Sequence, residues 1–259
     1  MKQLTTEQLL QLRLAQEEVV TELGISSLSG KLLKEILQEA VQSVHDVLHV
    51  DYVSILEYIP SEKKMLFRAA VGWKKDVVVD KTRVDAGKGS HAGYTMWKKR
   101  PVIIKNIAAE KRFRIPPPLA DYPAKSGISC VIYGKETPYG VLTAHSQKSR
   151  AFMKEDITFL QSIANLLALT IERKKKQKDL EQALIELYRL KYALDQSSIV
   201  SITDKEGIIK YVNEKFFEMS KYSPEELIGH THRVINSGFH PRAFFVNLWN
   251  TIKSGKVWH

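Results

Sequence analysis

Cysteine is almost absent: the 259 residues hold one, Cys130, which excludes an intramolecular disulfide and stands outside any pair with metal-ligand spacing. A reducing compartment fits that usage. Long apolar runs are missing too. The most apolar window, SIANLLALTI at 162–171, is ten residues long and flanked by charge, against the 18 or so that a membrane-spanning helix requires. The first residues, MKQLTTEQLLQLRLAQEE, are polar and acidic where a secretory signal would carry an apolar core and a small-residue cleavage site. The expectation is therefore a soluble, cytoplasmic protein with no membrane span.

Catalytic signatures are equally scarce. The sequence has no G-x-S-x-G elbow, and GKGSHAG at 87–93 lacks the G-x-x-x-x-G-K-[ST] pattern of a phosphate loop. The H-box, N-box and GG[DE]EF signatures of kinase and cyclase outputs are missing as well. Helix-turn-helix, zinc-finger and RNP-type motifs are absent, so direct nucleic-acid binding is not expected despite a net charge of +10. Part of that excess sits in ERKKKQK at 172–178, whose spacing reads as a solvated helix face. Three of the eight histidines fall within HTHRVINSGFH at 230–240. His230 and His232 follow Gly229 in a loop and His240 precedes a proline; nothing fixes a common face for a metal, and capping or loop-anchoring roles are the better reading.

Patterning supplies the architecture. Leu9, Leu12, Gln16, Val19 and Leu23 follow a 3-4-3-4 spacing, predicting an N-terminal helix that GISSLSG interrupts. Leu32, Ile36, Leu37, Ala40, Val44, Val47 and Leu48 form the broad face of a helix that covers a sheet. DYVSILEYI and KMLFRAAVGW read as a hairpin. A glycine-bearing loop, a short helix and a strand come next in DAGKGSHAGYTMWKKRPVII, then the proline-rich connection KRFRIPPPLADYPAKSG. ISCVIYGKETPYGVLTAHS predicts two strands about a turn, and AFMKEDITFLQSIANLLALTIERKKKQ a long helix. Leu180, Ala183, Leu187, Leu190 and Leu194 continue at 3-4-3-4, a two-heptad seam that reads as a parallel dimer stalk in preference to a helix packed on its own domain. Beyond Asp195, SIVSITDKEGIIKYVN is a hairpin with Gly207 at positive φ, Asn213 caps EKFFEMSKY, and Ser223 opens an S-P-E-E capping box closed by Gly229. HPRAFFVNLWNTIKSG is an amphipathic helix, and KVWH is read as the start of another strand. The fold class is α+β, two antiparallel sheets flanked by helices and joined by a helical, coiled-coil-like linker.

The order of these blocks carries two resemblances. AGKGSHAGYTMWKKRPVIIKN, SGISCVIYGKETPYGVLTAHS and the R-x-F-x-x-x-D-I-x-F-L-Q-S-I-A-N run resemble a GAF domain. SIVSITDKEGIIKYVN, F-x-x-x-S-x-Y-S-x-E-E-L-I-G, H-R-V-I-N-S-G-x-H-P and L-W-x-T-I-x-x-G-K-V-W resemble a PAS domain that stops before its last strands. His232 and His240 then fall in the PAS family's structural loop. The resemblances imply an N-terminal helix at residues 1–22, a GAF domain at 23–173, a signalling linker at 174–194 and an incomplete PAS domain at 195–259.

The function these resemblances imply is that of a sensory or regulatory input module of bacterial signal transduction, which senses a small ligand or relays a signal through dimer helices. Two further expectations are an N-terminal fragment of a sensor histidine kinase or diguanylate cyclase, and a flavin-binding redox sensor. Implied partners are a second copy, joined through Leu180, Leu187, Leu190 and Leu194, a downstream output domain or protein, and a small molecule. Tyr94, Cys130, His145 and Trp249 are the candidate ligand-binding residues. Cys130 has no adjacent histidine, so a bilin is not supported; only Phe152 and Asp156 survive of the cyclic-nucleotide pattern. Flavin is the cofactor the PAS resemblance leaves open, with Trp249 beside it, although an apolar helix face shared with Phe245 and Ile252 reads more simply as core.

Overall fold

The computed structural model describes residues 5–74, 77–114 and 122–259; the IPPPLAD part of the proline-rich connection, 115–121, lies outside them. The chain divides into two compact units, residues 1–178 and 179–259.

The first unit opens with α1 (Thr6–Leu28), where Thr5 and Gln8 cap each other's backbone amides at 3.2 and 3.0 Å. The sequence pattern places a break at Gly24, yet the helix runs four residues further. Leu23 and Ser27 are buried and the Ser27 hydroxyl accepts from Thr170 at 3.0 Å. Tertiary packing there outweighs the roughly 1 kcal/mol that a glycine costs a helix. Helix α2 (Leu33–Leu48) comes next, burying Ile36, Leu37, Ala40, Val41, Val44 and Leu48 on one face.

Six antiparallel strands form the sheet: β1 (Tyr52–Ile59), β2 (Lys64–Val71), β3 (Arg83–Asp85), β4 (Val102–Ile104), β5 (Ser126–Ile132) and β6 (Gly140–Ser146), in the order β3-β2-β1-β6-β5-β4. Between β3 and β4 lies the short helix α3 (His91–Lys98), whose N-cap Ser90 accepts from Gly93 N at 3.1 Å. Helix α4 (Lys154–Ser197) closes the unit and continues without interruption past residue 178. The terminal GAF-like helix and the expected linker are thus one 44-residue element.

Period-two alternation sorts the strands onto two cores. Val53, Ile55, Ile128, Cys130, Ile132, Leu142 and Ala144 join α2 and the Phe159, Leu160, Ile163, Ala164 and Leu167 face of α4 in the main core. Leu56, Met65, Phe67, Val84 and Val141 pack with Ala92 of α3 on the other side. At the start of α4 a fully buried Asp156 takes both its oxygens to Arg150 Nη2 at 3.1 Å and accepts from Met153 N at 2.9 Å. Arg150 also donates to the Leu48 carbonyl and lies over Phe152 at 5.1 Å. Phe152 and Asp156 therefore have the packing and capping roles that their positions alone suggest.

The second unit pairs β7 (Ser201–Thr203) with β8 (Ile209–Val212), and carries α5 (Glu214–Ser220), α6 (Pro224–Leu227) and α7 (Arg242–Lys253). Gly207 has φ +83° in the hairpin turn, and Asp204 accepts from Glu206 N and Ile208 N at 3.1 and 2.9 Å. Asn213 caps α5 through Phe216 N at 3.1 Å, and Glu226 returns to Ser223 N at 2.8 Å. Ile209, Val212, Phe216 and Leu227 make the core, with Phe217 and Ile235 against it. One expectation is corrected: residues 256–259 form no strand. Trp258 instead donates to Asn247 Oδ1 at 2.8 Å and meets the Phe244 ring edge-on at 4.9 Å, so KVWH folds against α7 rather than extending.

Candidate ligand site

The α3 side of the sheet buries a row of polar side chains where an apolar layer would be the simpler solution. In register across β1, β6 and β5 stand Ser54, Thr143 and Ser129. All are buried, and Ser54 and Thr143 share a hydrogen bond of 2.8 Å. Each alternates with core residues that face α2 and α4, so the strands' own period aims this row the other way.

Helix α3 completes the network. Thr95 donates to the His91 carbonyl at 2.9 Å, which leaves its oxygen to accept from Ser129 at 2.7 Å. Ser129, having given its proton to this contact rather than to the longer one with the Val102 carbonyl at 3.4 Å, accepts from His91 Nε2 at 2.8 Å. His91 Nδ1 is then an acceptor and receives the Nε2 proton of His145 at 3.2 Å. The chain of donors fixes both tautomers. It also fixes its own end: His145 Nδ1 is a bare acceptor, buried and without a protein partner among the described residues.

Electrostatics agrees with two neutral rings. Burial pushes His145 down to about 4. Burial, reinforced by His145 and by Arg112, holds His91 well below the ordinary imidazole range. Phe113 stacks on His91 at 5.1 Å with 18° between planes. Trp73 meets His145 edge-on at 6.4 Å and packs with Tyr52 and Tyr122 at 5.4 and 4.9 Å. Gly127, opposite His145 in the β5–β6 register, leaves room for the imidazole, because a Cβ there would lie 2.4 Å from His145 Cδ2 and displace it.

Of the four sequence candidates, the structure links Tyr94 and His145: Tyr94 packs on Phe113 at 5.2 Å, and Phe113 on His91. Cys130 is not with them. It points into the helix-side core, and burial lifts its thiol to about 12, so strand alternation separates it from His145. Trp249 belongs to the second unit, half-buried, with its ring tip 2.5 Å from where a Gly207 Cβ would sit. Two histidines of that unit have local partners: His232 Nε2 is 2.8 Å from Ser201 Oγ, and His240 stacks on Phe244 at 4.0 Å. Leu180, Leu187, Leu190 and Leu194 stand exposed along α4. Sequence reading missed His91, Thr95, Ser129, Ser54 and Thr143. The available signal was polar residues at alternate positions inside otherwise apolar strands.

The GAF domain family model matches residues 32–171, more than half of the chain. The chain belongs to the GAF domain family. Its six-stranded sheet and flanking helices have the fold of the Coxiella burnetii GAF domain from a phosphoenolpyruvate-protein phosphotransferase, at TM-score 0.58 and 17% identity over 64% of this chain and 98% of that one. Free methionine-R-sulfoxide reductase from Neisseria meningitidis, solved in complex with its substrate, matches at TM-score 0.54 and 17% identity over 62% of this chain and 91% of that one. A structure of a methyl-accepting chemotaxis protein matches at TM-score 0.50 and 21% identity over 60% and 95%. Among curated proteins, the Escherichia coli (strain K12) aerotaxis receptor is 33% identical over 64 residues, which is 25% of this chain and 13% of that receptor. The GAF match ends at residue 171 and leaves the second unit outside it. No helix among the described residues is long and apolar enough to cross a membrane.

Proposed function

We propose that the chain is a sensory input module of a signal-transduction protein, in which the GAF domain takes up a small molecule on the α3 side of its sheet. The observation that carries this reading is His145 Nδ1, a buried acceptor left open at the end of a fully ordered hydrogen-bond chain. An orphaned buried acceptor costs about 1–3 kcal/mol, and a ligand N–H or O–H would recover it. Binding at His145 would act on β6, which pairs with β1 and β5 over the buried face of α4. Favouring one packing of α4 over another is how such a module would report its state.

The likeness to the aerotaxis receptor over 64 residues supports a signalling role. The PAS reading of residues 195–259, and with it flavin beside Trp249, rests on the motifs and on the hairpin, capped helix and closing helix that they form locally. The seam of Leu180, Leu187, Leu190 and Leu194 supports a homodimer, and a kinase or cyclase is the output that the GAF–linker–PAS order implies.

Native mass spectrometry of the purified 259-residue chain beside its absorption spectrum tests the reading. A retained small molecule that is lost in His145→Leu, with the far-UV spectrum unchanged, is the expected result. A colourless species without added mass, whose melting no metabolite shifts, would move the function to protein contact alone.

A further inference from the structure

The surplus positive charge is concentrated in two stretches. Residues 85–114 carry eight cations against Asp85 and Glu110, six of the chain's ten surplus charges, and ERKKKQK carries the other four. Along α3, from the loop before its N-cap Ser90 to its C-terminal end, cations of the first set line a surface. Lys88 and Lys98 lie 4.6 and 4.5 Å from the centre of the Trp97 ring, and Lys98 and Arg112 lie 5.7 and 5.8 Å from that of Tyr94. Lys98, Arg100 and Arg112 line one recess of about 240 Å³ with Tyr94 and β4. Arg114 bridges to Ser90, two residues from Lys88. Of these five cations only Arg112 has a carboxylate partner, Glu110 at 2.6 Å, among the described residues. Trp97, at the centre, is 49% exposed.

We propose that this face docks the protein peripherally on an anionic lipid surface, a role separate from ligand sensing at His145. Five like charges gathered with one carboxylate partner among the described residues have a cost in the isolated chain that an anionic surface removes. A half-exposed indole among ammonium groups suits the headgroup level, where its apolar body and its N–H are both accommodated. The ring contacts favour lipid over single-stranded nucleic acid. Base stacking needs open aromatic faces, whereas Trp97 and Tyr94 already hold cations against theirs.

Co-sedimentation of the 259-residue protein with phosphatidylglycerol-containing vesicles, against pure phosphatidylcholine, tests the assignment. The protein is expected to pellet with the anionic vesicles alone and to be released as salt rises above about 0.1 M, where the screening length falls below ~10 Å. Lys98→Ala with Arg100→Ala should weaken partitioning about 25-fold, near fivefold for each cation. Trp97→Ala should weaken it while leaving the salt dependence in place. Thermal melts of each variant matching the wild type establish that folding is intact. Failure to pellet with anionic vesicles, or equal partitioning by the double variant, would overturn the proposal, as would retention on a single-stranded oligonucleotide by protein that ignores the vesicles.

Discussion

The two buried histidines make the GAF unit's stability depend on pH in a stated direction. Both rings are neutral when folded, and His145 titrates near 4 rather than at its ordinary 6.5. Below the unfolded value the unfolded chain binds more protons than the native one, so stability is complete above pH 6.5 and falls as pH drops towards 4. At pH 5 the loss from His145 alone is roughly 2 kcal/mol, with His91 adding in the same direction. Urea titrations at pH 7 and pH 5 measure it; in His145→Leu the difference should shrink, and an undiminished slope would assign the effect elsewhere. Gly127→Ala probes the same place sterically. Its methyl would sit 2.4 Å from His145 Cδ2, and overpacking of that kind costs about 1–3 kcal/mol, read as a lower urea midpoint at unchanged slope. The polar row left a signal in the strands' alternation that the sequence reading passed over. The pairing of His91 with His145 left none, since it depends on where α3 docks, a contact between residues 54 apart in sequence.

Among elements, α4 is the one whose surroundings are least explained by a single chain. From Lys175 to Leu194 every residue is exposed, and Leu180, Leu187 and Leu190 are 63%, 62% and 59% exposed. A helix with so little burial is marginal in water, and in the proposed homodimer its charges favour a parallel pairing. With Leu180, Leu187 and Leu194 at a and Ala183 and Leu190 at d, Glu186 falls at g and Lys191 at e. A parallel second copy brings these two into attractive g–e′ pairs, whereas antiparallel pairing sets Asp179 and Glu186 at g against g′. Leu187→Cys is therefore expected to form a symmetric disulfide-linked dimer under mild oxidation, seen on non-reducing gels. A chain that stays monomeric throughout a concentration series would defeat the dimer. That residues 180–194 are helical was legible because a 3-4-3-4 spacing needs no tertiary information. The end of α1 and the fate of KVWH were not, because packing of Ser27 on Thr170 and of Trp258 on Phe244 decides them.

For the molecule as a whole, the sequence order of hairpins and helices was enough to anticipate an α+β fold, because strand alternation and caps are local signals. It could not rank the units' stabilities, which depend on how much each core closes. The first unit buries two faces of a six-stranded sheet. The second has a two-stranded sheet, a core of Ile209, Val212, Phe216 and Leu227, and an α7 with no fully buried residue. Two strands alone are marginal in water and need further packing. Scanning calorimetry should accordingly resolve two transitions, the lower belonging to residues 179–259, and a chain of residues 1–178 should keep the upper one with its midpoint within a few degrees. If truncation at 178 instead abolishes the upper transition, the GAF domain draws its stability from the residues beyond it, and the separation into independently closing cores fails.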